Sequence, residues 1–225
     1  MTVMGQRSRG IPPPLMRAID DVRALSETVW STLVGLQGER GNARLMFTGT
    51  EEYSGTTLIA ASCGLGIARN TRSEVLLVES HLRRPAMATF FGVDPVPGLS
   101  DLLVGQARVE EVCRSIQGCP GLTVIPGGTP RHIIAGEFAA DGAREMLGSL
   151  AERGRYVIFD APPLLRHSES RALLSHVDGV VLVLRARASR KSEARRVIEL
   201  IEGAGVEVVG SVLNRFKPEM PFEGE

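Results

Sequence analysis

Short unbroken apolar runs alternate along this chain with longer stretches in which apolar residues recur every three or four positions. The runs are Leu45-Met46-Phe47, Val75-Leu76-Leu77-Val78, Leu122 to Ile125, Tyr156 to Phe159, Val180 to Leu184 and Val206 to Leu213. Short, β-branched and bounded by polar turns, they predict buried parallel strands. Helical spacing of Leu15, Ile19, Val22, Leu25, Val29, Leu33 and Leu36 predicts one amphipathic helix or two shorter ones. Further helical patterns cover 99–104, 109–116, 143–153, 169–175 and 192–204. Strand–helix alternation of this kind predicts an α/β fold: a doubly wound, mainly parallel sheet in a three-layer sandwich.

The pattern also divides the chain. Residues 1–14, with Pro12-Pro13-Pro14, read as a disordered or extended arm, 15–40 as a helical segment, 41–217 as one domain and 218–225 as a short tail. For Trp30, the single tryptophan, packing on the domain's own sheet is the expected role and a partner contact the alternative.

Doubly wound sheets bind ligands beyond the carboxyl ends of their strands, so the residues after each run are the informative ones. After Leu45-Met46-Phe47 comes a polar loop and then a helix of small residues (Ala60, Ala61, Ser62, Cys63, Gly64, Gly66, Ala68). This is the frame of a phosphate-binding P-loop, in which helix N–H groups and the helix dipole converge on an anion. An ordinary strand-to-helix turn is the alternative.

The usual fingerprint is G-x-x-x-x-G-K-[ST]. Here the register is Thr50-Glu51-Glu52-Tyr53-Ser54-Gly55-Thr56-Thr57. Ser54, Gly55, Thr56 and Thr57 are therefore the candidate phosphate contacts, and Thr57 a candidate Mg²⁺ ligand. The lysine position is Thr56, and Glu51 and Glu52 bring two carboxylates into the loop. Loss of one charge-assisted hydrogen bond costs about 1.5–3 kcal/mol.

Asp160 directly follows Tyr156-Val157-Ile158-Phe159 and is the candidate catalytic and Mg²⁺-holding carboxylate, or else a turn cap. Glu79, after the second strand, is a candidate second acid. His81 reads as a surface or capping histidine, unsuited to an oxygen shell around Mg²⁺. Arg83 and Arg84 can reach phosphates, a partner's carboxylates or only solvent. Asn214 and Arg215 follow the last strand, where an amide can read an adenine edge or simply form a turn.

Composition narrows the classes. With 26 basic and 26 acidic residues in 225, no global field favours nucleic acid or an anionic membrane. The basic run Arg185, Arg187, Arg190, Lys191, Arg195, Arg196 lacks interleaved aromatics, which argues against a nucleic-acid surface. Cys63, Cys113 and Cys119 show no C-x-x-C spacing, so neither a disulfide framework nor a zinc knuckle is indicated and a reducing cytoplasm fits. No run approaches the ~18 apolar residues of a membrane span.

Four stations together resemble a family. They are Val75 to Pro85 (with Leu82-Arg83-Arg84-Pro85), Gly98-Leu99-Ser100-Asp101-Leu102-Leu103-Val104-Gly105, Tyr156 to Pro163, and Val212-Leu213-Asn214-Arg215. In order and spacing they resemble the cytoplasmic P-loop domain of bacterial tyrosine kinases that control capsule and exopolysaccharide synthesis and export, over roughly Ser26 to Lys217. The resemblance implies a P-loop fold, ATP with Mg²⁺ as the cofactors if any nucleotide binds, and a polysaccharide-related role. The implied partners are a membrane chain-length regulator (co-polymerase) or a homologous kinase, with a homo-oligomer as a further state. The implied location is cytoplasmic, peripheral at the inner membrane through a partner.

The chain departs from the family at Thr56, at Glu52-Tyr53-Ser54-Gly55, and at Glu79-Ser80-His81 in place of aspartate-x-aspartate. The family's ring-forming glutamate-x-x-arginine-x-x-arginine maps on Glu27, Trp30 and Leu33, and Lys217 to Glu225 holds no tyrosine. Two readings follow: a degenerate regulatory module with weak or no nucleotide turnover, or a working ATPase or tyrosine kinase in which another cation, such as Arg83, replaces the lysine. A partitioning ATPase of the same superfold fits less well.

Overall fold

The apolar runs pair edge to edge into one seven-stranded sheet, ordered β3-β4-β2-β5-β1-β6-β7. The computed structural model describes residues 23–36, 41–131, 137–138, 141–151 and 154–215. Its strands are β1 (Ala43–Gly49), β2 (Val75–Glu79), β3 (Arg114–Ile116), β4 (Cys119–Ile125), β5 (Tyr156–Asp160), β6 (Gly179–Arg185) and β7 (Glu207–Asn214). All pairings are parallel except β3 with β4. The helices are α1 (Arg23–Leu36), α2 (Thr56–Thr71), α3 (Met87–Phe91), α4 (Leu99–Leu103), α5 (Val109–Val112), α6 (Asp141–Ala151), α7 (Ser168–Leu173) and α8 (Lys191–Gly203).

Because successive strand residues face opposite ways, each apolar run feeds two cores at once. Leu45, Phe47, Leu77 and Ile158 pack with α1 and α2 on one face. Met46, Leu76, Val157 and Phe159 pack with Leu147 and Leu150 of α6 and with Val197 and Ile201 of α8 on the other. Every residue of α2 from Ile59 to Ala68 is buried, which explains its small side chains. At Gly66 a Cβ would stand 2.5 Å from Ser26 Oγ, so glycine is what lets α1 lie so close.

Three expectations change. The predicted helix over 109–116 ends at Val112, and Arg114–Ile116 forms the antiparallel edge strand β3. Arg114 anchors it there by donating to the carbonyls of Pro97 (2.7 Å) and Asp94 (3.3 Å), a tie that local periodicity does not register. The short helix α3 was not anticipated. Trp30 does not pack on the sheet: it is 37% exposed, while Val29 and Leu33 supply the buried face of α1.

Residues 1–22 and 216–225 lie outside the described residues, and with them the predicted arm, the start of the first helix and the tail. No described helix is long and apolar enough to cross a membrane. The central strands β2, β5 and β1 end in register, Glu79 beside Asp160 and Asp160 beside Phe47, which places the strand-end side chains at one edge of the sheet.

Candidate functional site

Between Gly49 and Thr56 the chain folds back on itself. A Cβ at Gly49 would come 2.3 Å from Ser54 Oγ, and Gly55, at φ +89°, would drive one to 2.2 Å from Asn214 Nδ2. Glycine is required at Gly55 both for the left-handed backbone and for that approach. Asn214 Nδ2 donates to the Ser54 carbonyl at 2.8 Å, while its Oδ1 accepts from the Arg215 amide at 2.8 Å. The Asn214 amide thus holds the loop in place. Ser54 Oγ and Thr56 Oγ1 share a hydrogen bond of 2.8 Å.

The two loop acids turn to opposite walls. Glu51 accepts from Ser189 Oγ at 2.9 Å. Glu52 Oε1 lies 2.8 Å from His167 Nε2 and Oε2 lies 3.4 Å from His81 Nε2. Burial acts upward on the Glu52 carboxyl, but the two histidines outweigh it and hold its pKa below the ordinary value. Tyr53, exposed and at φ +61°, bonds Arg84 through its hydroxyl and carries the guanidinium 5.9 Å from its ring centroid.

Asp160 is buried at the end of β5, and its Oδ2 has no hydrogen-bond partner among the described residues. Burial, reinforced by the adjacent Glu79 carboxylate, pushes its pKa up to about 7, against a hydrogen bond from the Thr57 side chain. Glu79 is differently placed. Burial pushes it upward too, but three backbone amides point at it: Met87 N–H (2.8 Å) and Ala86 N–H on Oε1, and Gly127 N–H (2.8 Å) on Oε2. With both oxygens occupied, Glu79 fastens the start of α3 and the loop after β4 to the end of β2.

A cavity of about 370 Å³ opens above these strand ends, its wall including Glu52, Gly55, Thr57, His81, Arg84 and Asp160. Its described lining holds two arginines, Arg84 and Arg215, and no lysine. Ser54, Thr56 and Thr57 line it too, so the structure gathers all the loop candidates with Asp160, whereas Glu79 and Asn214 support from behind. Arg83 is turned away, its Nε 3.2 Å from Glu169 Oε1.

Sequence reasoning passed over His167 and read His81 as a surface or capping residue. Both are largely buried and face Glu52, with ring centroids 5.7 Å apart. The available signal was that each histidine follows a strand end by only a few residues, on the side where Glu52 enters the loop.

A strand leading through a glycine-closed loop into a helix, with a carboxylate ending the neighbouring strand, defines a P-loop NTPase-like protein. MinD of Pyrococcus horikoshii, solved with Mg-ADP, shares the fold at TM-score 0.64 and 22% identity, over 78% of this chain and 71% of that one. No protein-family model matches the sequence.

Among individual proteins, the chain is similar to bacterial tyrosine kinases and to the solved kinase domains of two of them. It is 28% identical over 212 residues to the tyrosine-protein kinase ptk of Acinetobacter johnsonii, covering 93% of this chain and 28% of the relative. Identity is also 28% over 213 residues to the tyrosine-protein kinase etk of Escherichia coli K12, with 92% and 28% covered. The solved kinase domain of Escherichia coli ETK superposes at TM-score 0.80 and 25% identity, over 99% of this chain and 88% of that one. That of VpsO does so at 0.77 and 26%, over 91% and 97%. The chain thus spans about a quarter of the length of the curated relatives it matches.

Proposed function

We propose that this chain is a degenerate tyrosine-kinase-like P-loop module that regulates exopolysaccharide or capsule biosynthesis and export, with weak or no nucleotide turnover. It acts by docking on a membrane chain-length regulator or on a homologous kinase. The observation that carries this reading is the loop itself: Thr56 occupies the lysine position, and the Glu52 carboxylate stands in the cavity wall where a triphosphate's charge would lie. A missing charge-assisted bond of about 1.5–3 kcal/mol weakens binding by one to two powers of ten.

The remaining donor set still fits Mg²⁺. Asp160 Oδ2 is a buried acceptor without a partner among the described residues, and the Thr57 side chain reaches the same carboxylate. Thr57 and Asp160 would hold the ion, which supplies positive charge to bound phosphates, and Ser54, Gly55 and Thr56 would contact the phosphates. A second reading rests on Arg84 and Arg215, the two cations in the lining: an active ATPase or tyrosine kinase in which an arginine replaces the lysine. Arg83 does not suit that role, since Glu169 engages it.

Turnover of MgATP by the purified chain separates the two. The regulatory reading expects release of phosphate at or little above the buffer rate. Micromolar affinity for MgATP with turnover that Asp160→Ala abolishes overturns it, and loss in Arg84→Ala would identify the substitute cation.

A further inference from the structure

Glu52, His81 and His167 come from three separate strand ends: the loop after β1, the segment after β2, and the segment between β5 and α7. One ligand atom from each lies within 4.8 Å of the other two. The contacts are 2.8 Å from Glu52 Oε1 to His167 Nε2 and 3.4 Å from Glu52 Oε2 to His81 Nε2. Ligand atoms on a tetrahedral ion with bonds of ~2.0–2.2 Å stand about 3.3 Å apart. Small side-chain rotations bring the three atoms to that spacing.

The surroundings are those of a metal ligand set. His167 Nδ1 faces Glu169 Oε1 at 3.2 Å, and that oxygen is in turn 3.2 Å from Arg83 Nε. The roles of the two ring nitrogens depend on the tautomer: with the proton on Nδ1, facing the Glu169 carboxylate, the Nε2 lone pair is directed at Glu52. In that tautomer the two lone pairs, 2.8 Å apart, have a cation between them, either a proton or a metal ion. His81 Nδ1 is buried and has no hydrogen-bond partner among the described residues, so its ring is not committed to a network of its own.

We infer that Glu52, His81 and His167 form a binding site for a divalent transition-metal ion of the zinc class, with Glu169 and Arg83 orienting His167. Two imidazoles and one carboxylate suit zinc and its neighbours; magnesium prefers oxygen ligands. Three protein ligands would leave a fourth position for water, and two of them, Glu52 and His81, line the P-loop cavity. The ion ties the altered loop to two other strand ends, independently of whether nucleotide or a protein partner binds.

The test uses untagged full chain, stripped with chelator and titrated with Zn²⁺ by calorimetry and with Co²⁺ by visible absorption. One ion per chain, a tetrahedral Co²⁺ spectrum and a raised Tm are expected. His167→Ala, His81→Gln and Glu52→Gln should each weaken binding at least tenfold, and Glu169→Gln, which removes no ligand, about 10–100-fold. Circular dichroism of each variant in chelator shows that it folds. Absence of saturable binding, or binding unchanged in folded His81→Gln and Glu52→Gln, overturns the proposal. So does a nitrogen NMR spectrum in which His167 stays protonated on both nitrogens with Zn²⁺ in excess, because the cation between the lone pairs is then a proton.

Discussion

At Glu79 three backbone amides, those of Met87 and Gly127 buried and that of Ala86 part-buried, converge on one carboxylate. Each buried donor left unsatisfied costs about 1–3 kcal/mol. Glu79→Ala is therefore expected to lower unfolding free energy by about 3 kcal/mol or more, and Glu79→Gln by less, as read from urea denaturation. A stability change within 0.5 kcal/mol, the ~0.5 range of neutral surface substitutions, would contradict the supporting role.

Cys63, fully buried in α2, has its thiol pushed up to about 12 by burial. In the unfolded chain it ionises near 9.0, so the native state keeps the proton that the unfolded state loses. Stability must fall as pH rises from about 9 toward 12, by on the order of 4 kcal/mol at most from this group. Comparing denaturation of wild type and Cys63→Ala across that range should show a steeper slope in wild type than in the variant, where Cys119, also pushed upward by burial, still titrates.

The sequence made the types of these side chains visible, but not their partners. Asn214 at a strand end reads equally well as a turn or a base reader, and its bond to the Ser54 carbonyl, 160 positions away, was not visible from that position. His167 carried no motif, because its meaning comes from Glu52, 115 positions distant.

Among the elements, strands were the most legible, since a short apolar run buried on both faces leaves little choice. All six predicted runs are strands, and the helix after β1 begins where the loop register places it. The edge strand β3 was not legible, because it depends on Arg114 bonding carbonyls of another loop, whereas the opposite edge β7 was read as a strand although its side chains are largely exposed. Within α1 the helical spacing gave the packed face correctly, since Leu25, Val29, Leu33 and Leu36 meet the core; only Trp30, one step from that stripe, lies elsewhere than expected. Leu33→Ala is expected to cost about 2–5 kcal/mol, and Trp30→Ser within about 0.5 kcal/mol, as for an exposed site. Equal losses in thermal or urea denaturation would contradict the assigned face.

At the scale of the molecule, the doubly wound order brings the ends of β1, β2 and β5 together, so three polar segments far apart in sequence share one cavity. That convergence was legible from strand–helix alternation alone; the chemistry of the cavity was legible only in part. Thr56, Glu51 and Glu52 announced an altered loop, while the turning of Glu51 to Ser189 and of Glu52 to two histidines did not follow from their spacing. The strand–loop–helix frame is kept, and the cavity's described lining carries Arg84 and Arg215 but no lysine. The direct measurement is a calorimetric titration of MgATP into wild type and Thr56→Lys. Dissociation constants at least tenfold weaker for wild type than for Thr56→Lys, with no saturable wild-type heat at micromolar nucleotide, are predicted. Micromolar binding by wild type that Thr56→Lys leaves unchanged would contradict the account.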